Sequence, residues 1–154
     1  MSDNPLEAAI QHLKQSGVRM TPQRKFILEY LITHHNHPTV ETIYAGVDNK
    51  LPNLSLATVY NTLKLLVEND LVIELPATEN DTSLHYDYFG VPHFHAICEN
   101  CGKITDIFVD EYKNINQNLI NLTKQQSGYW VNNSQFEVYG YCPECQKKLQ
   151  LNNN

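Results

Sequence analysis

No stretch of this 154-residue chain approaches the roughly 18 consecutive apolar residues that would span a bilayer. The N-terminus, Met1-Ser2-Asp3-Asn4-Pro5, has neither the basic flank nor the apolar core of a secretory signal. A cytoplasmic protein with no membrane partner is therefore expected. Excess positive charge is missing too. The formal net charge of −6 argues against a strongly basic nucleic-acid binder, but it permits a focused basic patch. Residues 1–75 carry six Lys or Arg against eight Asp or Glu, and residues 76–154 carry five against nine, so most of the acid excess falls in the second half. Any DNA affinity has to come from a local surface helped by dimer symmetry. Internal repeats are absent, and the only biased segment is the Asn-rich tail after Leu151.

Cysteine occurs only as two pairs, Cys98-Glu99-Asn100-Cys101 and Cys142-Pro143-Glu144-Cys145. Two such knuckles supply the four thiolates of a closed tetrahedral Zn2+ site. In a reducing compartment they read as metal ligands or redox centres, not disulfides. At this length the chain makes one ordinary domain or two small ones, each short of a self-sufficient core, so a structural metal in the second half has a purpose. His93 and His95 stand directly before the first knuckle and offer nitrogen to a second, harder metal. A sulfur site beside a nitrogen and oxygen site suggests one metal that holds the fold and another that is sensed.

Leu6, Ala9, Ile10 and Leu13 recur at helical spacing and Gly17 follows as a stop, which predicts a helix over about residues 5–16. Thr21-Pro22 predicts an N-cap and first helical position, with Ile27, Leu28, Leu31 and Ile32 as an apolar stripe through about His34. Thr39 opens a third helix with Val40, Ile43, Tyr44 and Val47 inward. After the break at Pro52-Asn53, Ser55 caps a fourth whose core stripe is Val59, Leu63, Leu66 and Val67. Leu71–Leu75, a polar turn over Thr78–Ser83 and a return strand over Leu84–Phe89 then predict a hairpin, completing a winged helix. Gly90-Val91-Pro92 marks the end of that unit. Beyond it we expect strands at 93–97 and about 103–109, a helix from Glu111 to about Gln126 and a strand from Tyr129 to Tyr139. The fold class is α+β: a winged helix-turn-helix DNA-binding domain over 1–89, with a hinge at about 84–92, and a C-terminal α/β dimerisation domain over 93–154 with a four-cysteine zinc site.

A helix that follows a tight turn and precedes a wing is the one that enters a major groove. Its candidate contacts are Tyr60, Asn61 and Lys64, with Thr58 also off the core stripe. Asparagine pairs with adenine, lysine reaches guanine or phosphate, and Ser55 at the helix N-terminus can meet a phosphate oxygen. Arg19, Gln23, Arg24 and Lys25, with no acid among them, form a candidate backbone clamp. Amphipathicity alone reads these as solvated faces; the wing and the metal half tip the reading toward DNA.

His93 and His95 are two apart on a strand and share a face. An antiparallel return after the knuckle would bring Asp106 opposite His95. His37, just before Pro38, and Asp87, on the return strand of the wing, belong to the first domain or its hinge. A metal held by all five would tie the domains together and so connect metal occupancy to DNA geometry. Singly, each of the five is more readily an ordinary polar residue. His12, His34, His35 and His85 have no comparable support, although His85 stands close to the hinge and its role stays open.

Gly17-Val18-Arg19-Met20-Thr21-Pro22-Gln23-Arg24, His37-Pro38-Thr39, Ser55-Leu56-Ala57-Thr58-Val59-Tyr60-Asn61-Thr62-Leu63 and His93-x-His95-x-x-Cys98-x-x-Cys101-Gly102-Lys103 together resemble the ferric uptake regulator (Fur) family. Within it they are most similar to the peroxide-stress regulators. The resemblance covers nearly the whole chain. It implies a homodimeric, metal-activated repressor that binds palindromic double-stranded operator DNA, with Zn2+ on Cys98, Cys101, Cys142 and Cys145 and a regulatory Fe2+ or Mn2+ on His37, Asp87, His93, His95 and Asp106. Asp106, where iron-uptake regulators usually carry glutamate, and Asn61, where they usually carry arginine, favour the peroxide sensors. In such sensors bound Fe(II) reacts with hydrogen peroxide and a histidine ligand is oxidised; His37 and His95 match those histidines. Mn(II) fills the same site and reacts poorly.

The alternative within the family is an iron- or zinc-uptake repressor that uses metal purely as co-repressor. Nitrogen and oxygen ligands alone do not choose among Fe, Mn and Zn. A metal-dependent hydrolase is disfavoured because five ligands would fill positions that catalytic zinc leaves open. A thiol oxidoreductase is disfavoured because thiolates held in zinc are poor redox catalysts. Peroxide consumed at the iron site would inactivate that site, so the sequence reads as a sensor and not an enzyme.

Overall fold

The computed structural model describes residues 4–151; the first three residues of the signal-peptide reading and the Asn-rich tail lie outside the described residues. The chain divides into two compact units. One comprises the residues up to Ala77 together with Thr82–Gly90, the other Thr78–Asp81 together with the residues from Val91 onward.

The first unit is built on four helices and a hairpin: α1 (Pro5–Gln15), α2 (Pro22–Thr33), α3 (Val40–Val47), α4 (Leu56–Glu68), β1 (Val72–Leu75) and β2 (His85–Tyr88). Each helix starts on a side chain that accepts one of the backbone N–H groups a helix leaves unpaired. Thr21 accepts from Arg24 at 3.2 Å, Thr39 from Thr42 at 3.2 Å and Ser55 from Thr58 at 3.1 Å. The apolar stripes then meet in one core, where Leu13, Ile27, Leu28, Ile43, Val59 and Leu63 are fully buried. A short 3-10 turn over Asp48–Lys50, which the sequence did not announce, extends α3. The wing pairs antiparallel, Val72 opposite Tyr88 and Leu75 opposite His85.

The second unit contains β3 (Phe94–Cys98), β4 (Ile104–Ile107), α5 (Tyr112–Ser127), β5 (Glu137–Gly140) and α6 (Pro143–Lys148). Its sheet runs β4-β3-β5, with β3 antiparallel to β4 and parallel to β5. Two expectations are corrected. The strand expected over Tyr129–Tyr139 is only Glu137–Gly140: its ladder partner β3 begins at Phe94, so the residues before Phe136 have no strand to pair with. The short helix α6 was not foreseen, although Pro143 at its first position suits a helix start.

The core of this second unit is thin. Among its described residues the buried hydrophobics are Ile97, Cys98, Tyr112 and Cys145. Ile115, Leu119 and Leu122 on α5, Phe108, Tyr129 and Val138 are exposed, and Trp130 is 87% exposed.

Candidate metal centres and nucleic-acid interface

The parallel pairing of β3 with β5 sets Cys98 opposite Gly140, two residues ahead of Cys142. The knuckle closes because Gly102, at φ +76, adopts the left-handed conformation that returns the chain, with its N–H donated to the Cys98 carbonyl at 2.9 Å. The four cysteine sulfurs thereby fall within 4.8 Å of one another. Cys101 Sγ and Cys142 Sγ are 3.8 Å apart, too far for a disulfide but matching the edge, about 3.8 Å, of a tetrahedron with Zn–S bonds of about 2.3 Å. The Cys142 N–H donates to Cys98 Sγ at 3.3 Å and the Asn100 amide to Cys145 Sγ at 3.2 Å. Burial pushes the Cys98 thiol up, but backbone N–H groups of Cys101, Cys142 and Asn100 outweigh it and hold the thiol at about 6. At Cys145 the Asn100 amide favours the thiolate, yet burial and the three neighbouring cysteines push the thiol up to about 11. Four crowded sulfurs cannot all carry charge unaided; a soft dication removes that conflict, so the donor set fits zinc. Asn100 went unremarked in the sequence, where its place inside the knuckle was the available signal.

His95 faces Asp106 across the β3–β4 ladder, as the antiparallel return required. Its Nε2 lies 3.2 Å from Asp106 Oδ1, and His93 Nε2 lies 3.5 Å from the same oxygen and 3.2 Å from His95 Nε2. Both histidines are buried. His93 Nδ1 donates to the Val91 carbonyl at 2.6 Å, and since a carbonyl only accepts, that nitrogen carries the proton and Nε2 is the atom turned to the cluster. Histidine ligands of metals are held in this way by a carbonyl on the far ring nitrogen. The ring also packs against Phe108, with centroids 4.9 Å apart. Two buried imidazole nitrogens and a half-buried carboxylate oxygen converge here, a donor set that fits a cation.

In the first unit, His37 and Asp87 are both buried, with His37 Nε2 4.0 Å from Asp87 Oδ2, beyond hydrogen-bond reach. His37 has φ +48, in the left-handed region uncommon for a residue with a side chain. Two donors from β2 meet this turn: His85 Nδ1 to the His37 carbonyl at 2.6 Å, and the Tyr86 N–H to the Pro38 carbonyl at 3.0 Å.

On α4 the buried residues are Val59, Thr62, Leu63 and Leu66, which leaves Tyr60, Asn61 and Lys64 exposed and Thr58 half-buried. Tyr60 is 51% exposed. Ser55 and Thr58 are engaged with each other, their hydroxyls 3.0 Å apart, so Ser55 serves the helix first. Arg19 and Lys25 are exposed, Gln23 and Arg24 half-buried, and the Arg24 guanidinium donates to the Arg19 carbonyl, which stiffens the segment ahead of α2.

A sequence model described as the ferric uptake regulator family matches residues 15–139. The peroxide operon regulator of Bacillus subtilis (strain 168) is 44% identical over 148 residues, 96% of this chain and 98% of that protein. The peroxide-responsive repressor PerR of Staphylococcus aureus (strain USA300) is 41% identical over 146 residues, covering 95% of each chain. Among solved structures, PerR from Streptococcus pyogenes, described for peroxide sensing and gene regulation, is similar at a TM-score of 0.56 and 37% identity over 95% of this chain and 96% of that one.

Proposed function

This chain belongs to the ferric uptake regulator family, and from that membership we propose that it is a metal-dependent, peroxide-responsive transcriptional repressor and not an enzyme. It binds palindromic operator DNA as a homodimer, with structural Zn2+ on Cys98, Cys101, Cys142 and Cys145 and regulatory Fe2+ or Mn2+ on His37, Asp87, His93, His95 and Asp106. The observation that carries the reading is the division of donors. Sulfur is gathered in one cluster, while buried imidazoles with carboxylates at 3.2–4.0 Å wait in two others, and the relatives at 44% and 41% identity bear names that refer to peroxide.

Each half of the regulatory set does a separate part of the work. His93 and His95 present Nε2 toward Asp106, and the His93 Nδ1–H bond to the Val91 carbonyl keeps that ring from turning away. Asp87 supplies the negative charge facing His37. Bound Fe(II) would activate hydrogen peroxide, whose net two-electron reduction would leave one oxygen atom on an imidazole carbon of His37 or His95 and release water, whereas Mn(II) would fill the same donors with little such reactivity. An oxidised imidazole is a poorer ligand, and losing one of five weakens the metal binding that the DNA-competent form needs. A nearly complete switch of that kind requires about 5.5 kcal/mol of preference for one form.

Dimer formation is supported by the exposed α5 stripe Ile115, Leu119 and Leu122, by exposed Tyr129 and Trp130, and by the place of β5 at the edge of the sheet. Asn61→Ala is expected to cost about 1–3 kcal/mol of operator binding while leaving non-specific DNA binding unchanged, read by competition with unrelated duplex at fixed salt.

The deciding experiment is anaerobic operator binding by the Fe(II)- and Mn(II)-loaded protein before and after a small excess of hydrogen peroxide, with mass spectrometry of the peptides carrying His37 and His95. Loss of binding with a gain of one oxygen, in the iron form alone, is the expected outcome. Unchanged binding in both forms would instead identify a plain metal-uptake repressor.

A further inference from the structure

We propose that His85 is a positioning residue that sets the geometry of His37. The inference rests on the reading of His37 and Asp87 as regulatory ligands.

His37 does not hold its conformation by itself. A left-handed φ of +48 is disfavoured for any residue with a Cβ, and a residue before proline is steered toward extended backbone. The turn at His37-Pro38 therefore depends on bonds from outside it. Two come from neighbouring residues of β2, and they are not equivalent. The Tyr86 N–H to Pro38 is a backbone donor that almost any residue at position 86 would supply. The His85 Nδ1–H to the His37 carbonyl, at 2.6 Å, is a side-chain donor that exists only because position 85 is histidine in the tautomer protonated at Nδ1.

Alternation along a strand puts His85 and Asp87 on the same face of β2. One strand thus delivers both the donor that fixes the His37 backbone and the carboxylate whose Oδ2 stands 4.0 Å from the His37 ring. The aim of the ring at that carboxylate follows from the backbone turn, and the turn follows in part from His85. An ordinary half-buried polar residue of a wing strand would bond to solvent or to its own strand; this one bonds to the main chain of a candidate ligand 48 residues away. Partners of this outer kind typically change metal affinity 10- to 100-fold when removed.

The test is an anaerobic Mn(II) titration of the full-length, zinc-loaded protein, following free Mn(II) by its electron paramagnetic resonance signal, for wild type, His85→Leu, His85→Asn and His37→Ala. His85→Leu is expected to weaken Mn(II) binding about 10- to 100-fold with zinc content and melting temperature unchanged. His85→Asn, whose amide N–H falls near the position of the imidazole Nδ1–H, is expected to restore the wild-type affinity. Wild-type affinity in His85→Leu, or an equal loss in both variants together with a lowered melting temperature, would overturn the positioning role. Wild-type affinity in His37→Ala would overturn the ligand reading itself, and with it the inference.

Discussion

Cys98→Ser or Cys142→Ser is expected to strip the zinc and unfold the second unit while the four-helix unit stays folded. The reason is the thinness of that unit's interior. Of its four buried hydrophobic residues two, Cys98 and Cys145, are themselves members of the sulfur cluster, so the metal site is the larger part of what it would lose. A structural zinc contributes on the order of 10–16 kcal/mol in small metal-dependent folds, against the roughly 5–15 kcal/mol by which an entire domain is stable. The first unit contains no cysteine: its core is Leu13, Ile27, Leu28, Ile43, Leu63 and their neighbours. Metal analysis together with hydrogen exchange read by segment checks this. Protection is expected to vanish over residues 94–140 and persist over α2 and α4. A variant that kept protection in β3 without zinc would mean that apolar packing alone sustains the sheet. Chelation of the wild-type protein is expected to give the same pattern.

Asp87→Ala and His93→Ala are expected to behave in the opposite way, abolishing Mn(II)-dependent operator binding with zinc content and dimer mass unchanged. Both side chains are buried, but they face other polar groups, Asp87 near His37 and His93 near His95 and Asp106, so each removal chiefly subtracts a donor, with the His93 ring giving up in addition only its contact with Phe108. Deleting a direct ligand should exceed the roughly 10- to 100-fold loss typical of outer partners. Fluorescence anisotropy of a labelled operator against Mn(II) concentration, with sedimentation velocity on the same samples, separates the possibilities. A dimer that dissociates in either variant would assign these residues to architecture instead of sensing.

Local chemistry was the most legible part of the sequence. The three N-caps Thr21, Thr39 and Ser55 start α2, α3 and α4 where their spacing put them, because capping needs only the residue and its own next turn. The approach of Asp106 to His95 was also readable, since a knuckle of fixed length sets the register of the return strand. What escaped depended on distant partners. The strand before Glu137 is short because β3 offers no ladder there, and the periodicity of residues 129–136 cannot know where β3 begins. The polar stretch Thr78–Ser83 was read as the turn of the hairpin alone, yet within it the Asn80 amide donates to the Glu99 carbonyl of the knuckle. His85 drew notice only for its closeness to the hinge, because its bond to His37 spans 48 residues and no local pattern announces it.

The parallel pairing of β3 with β5 also orders events during synthesis. The sulfur pairs that meet at 3.8 Å are 41 residues apart, and a parallel neighbour can be reached only after the intervening helix has been made. At about 5–20 residues per second, the first knuckle waits several seconds for the second to leave the ribosome, while the helices upstream, rich in local contacts, have time to fold. During that interval Cys98 and Cys101 are an open half-site. Zinc supplied late, or a chain stalled before Cys142, would leave a finished DNA-binding half attached to a tail able to scavenge metal or oxidise.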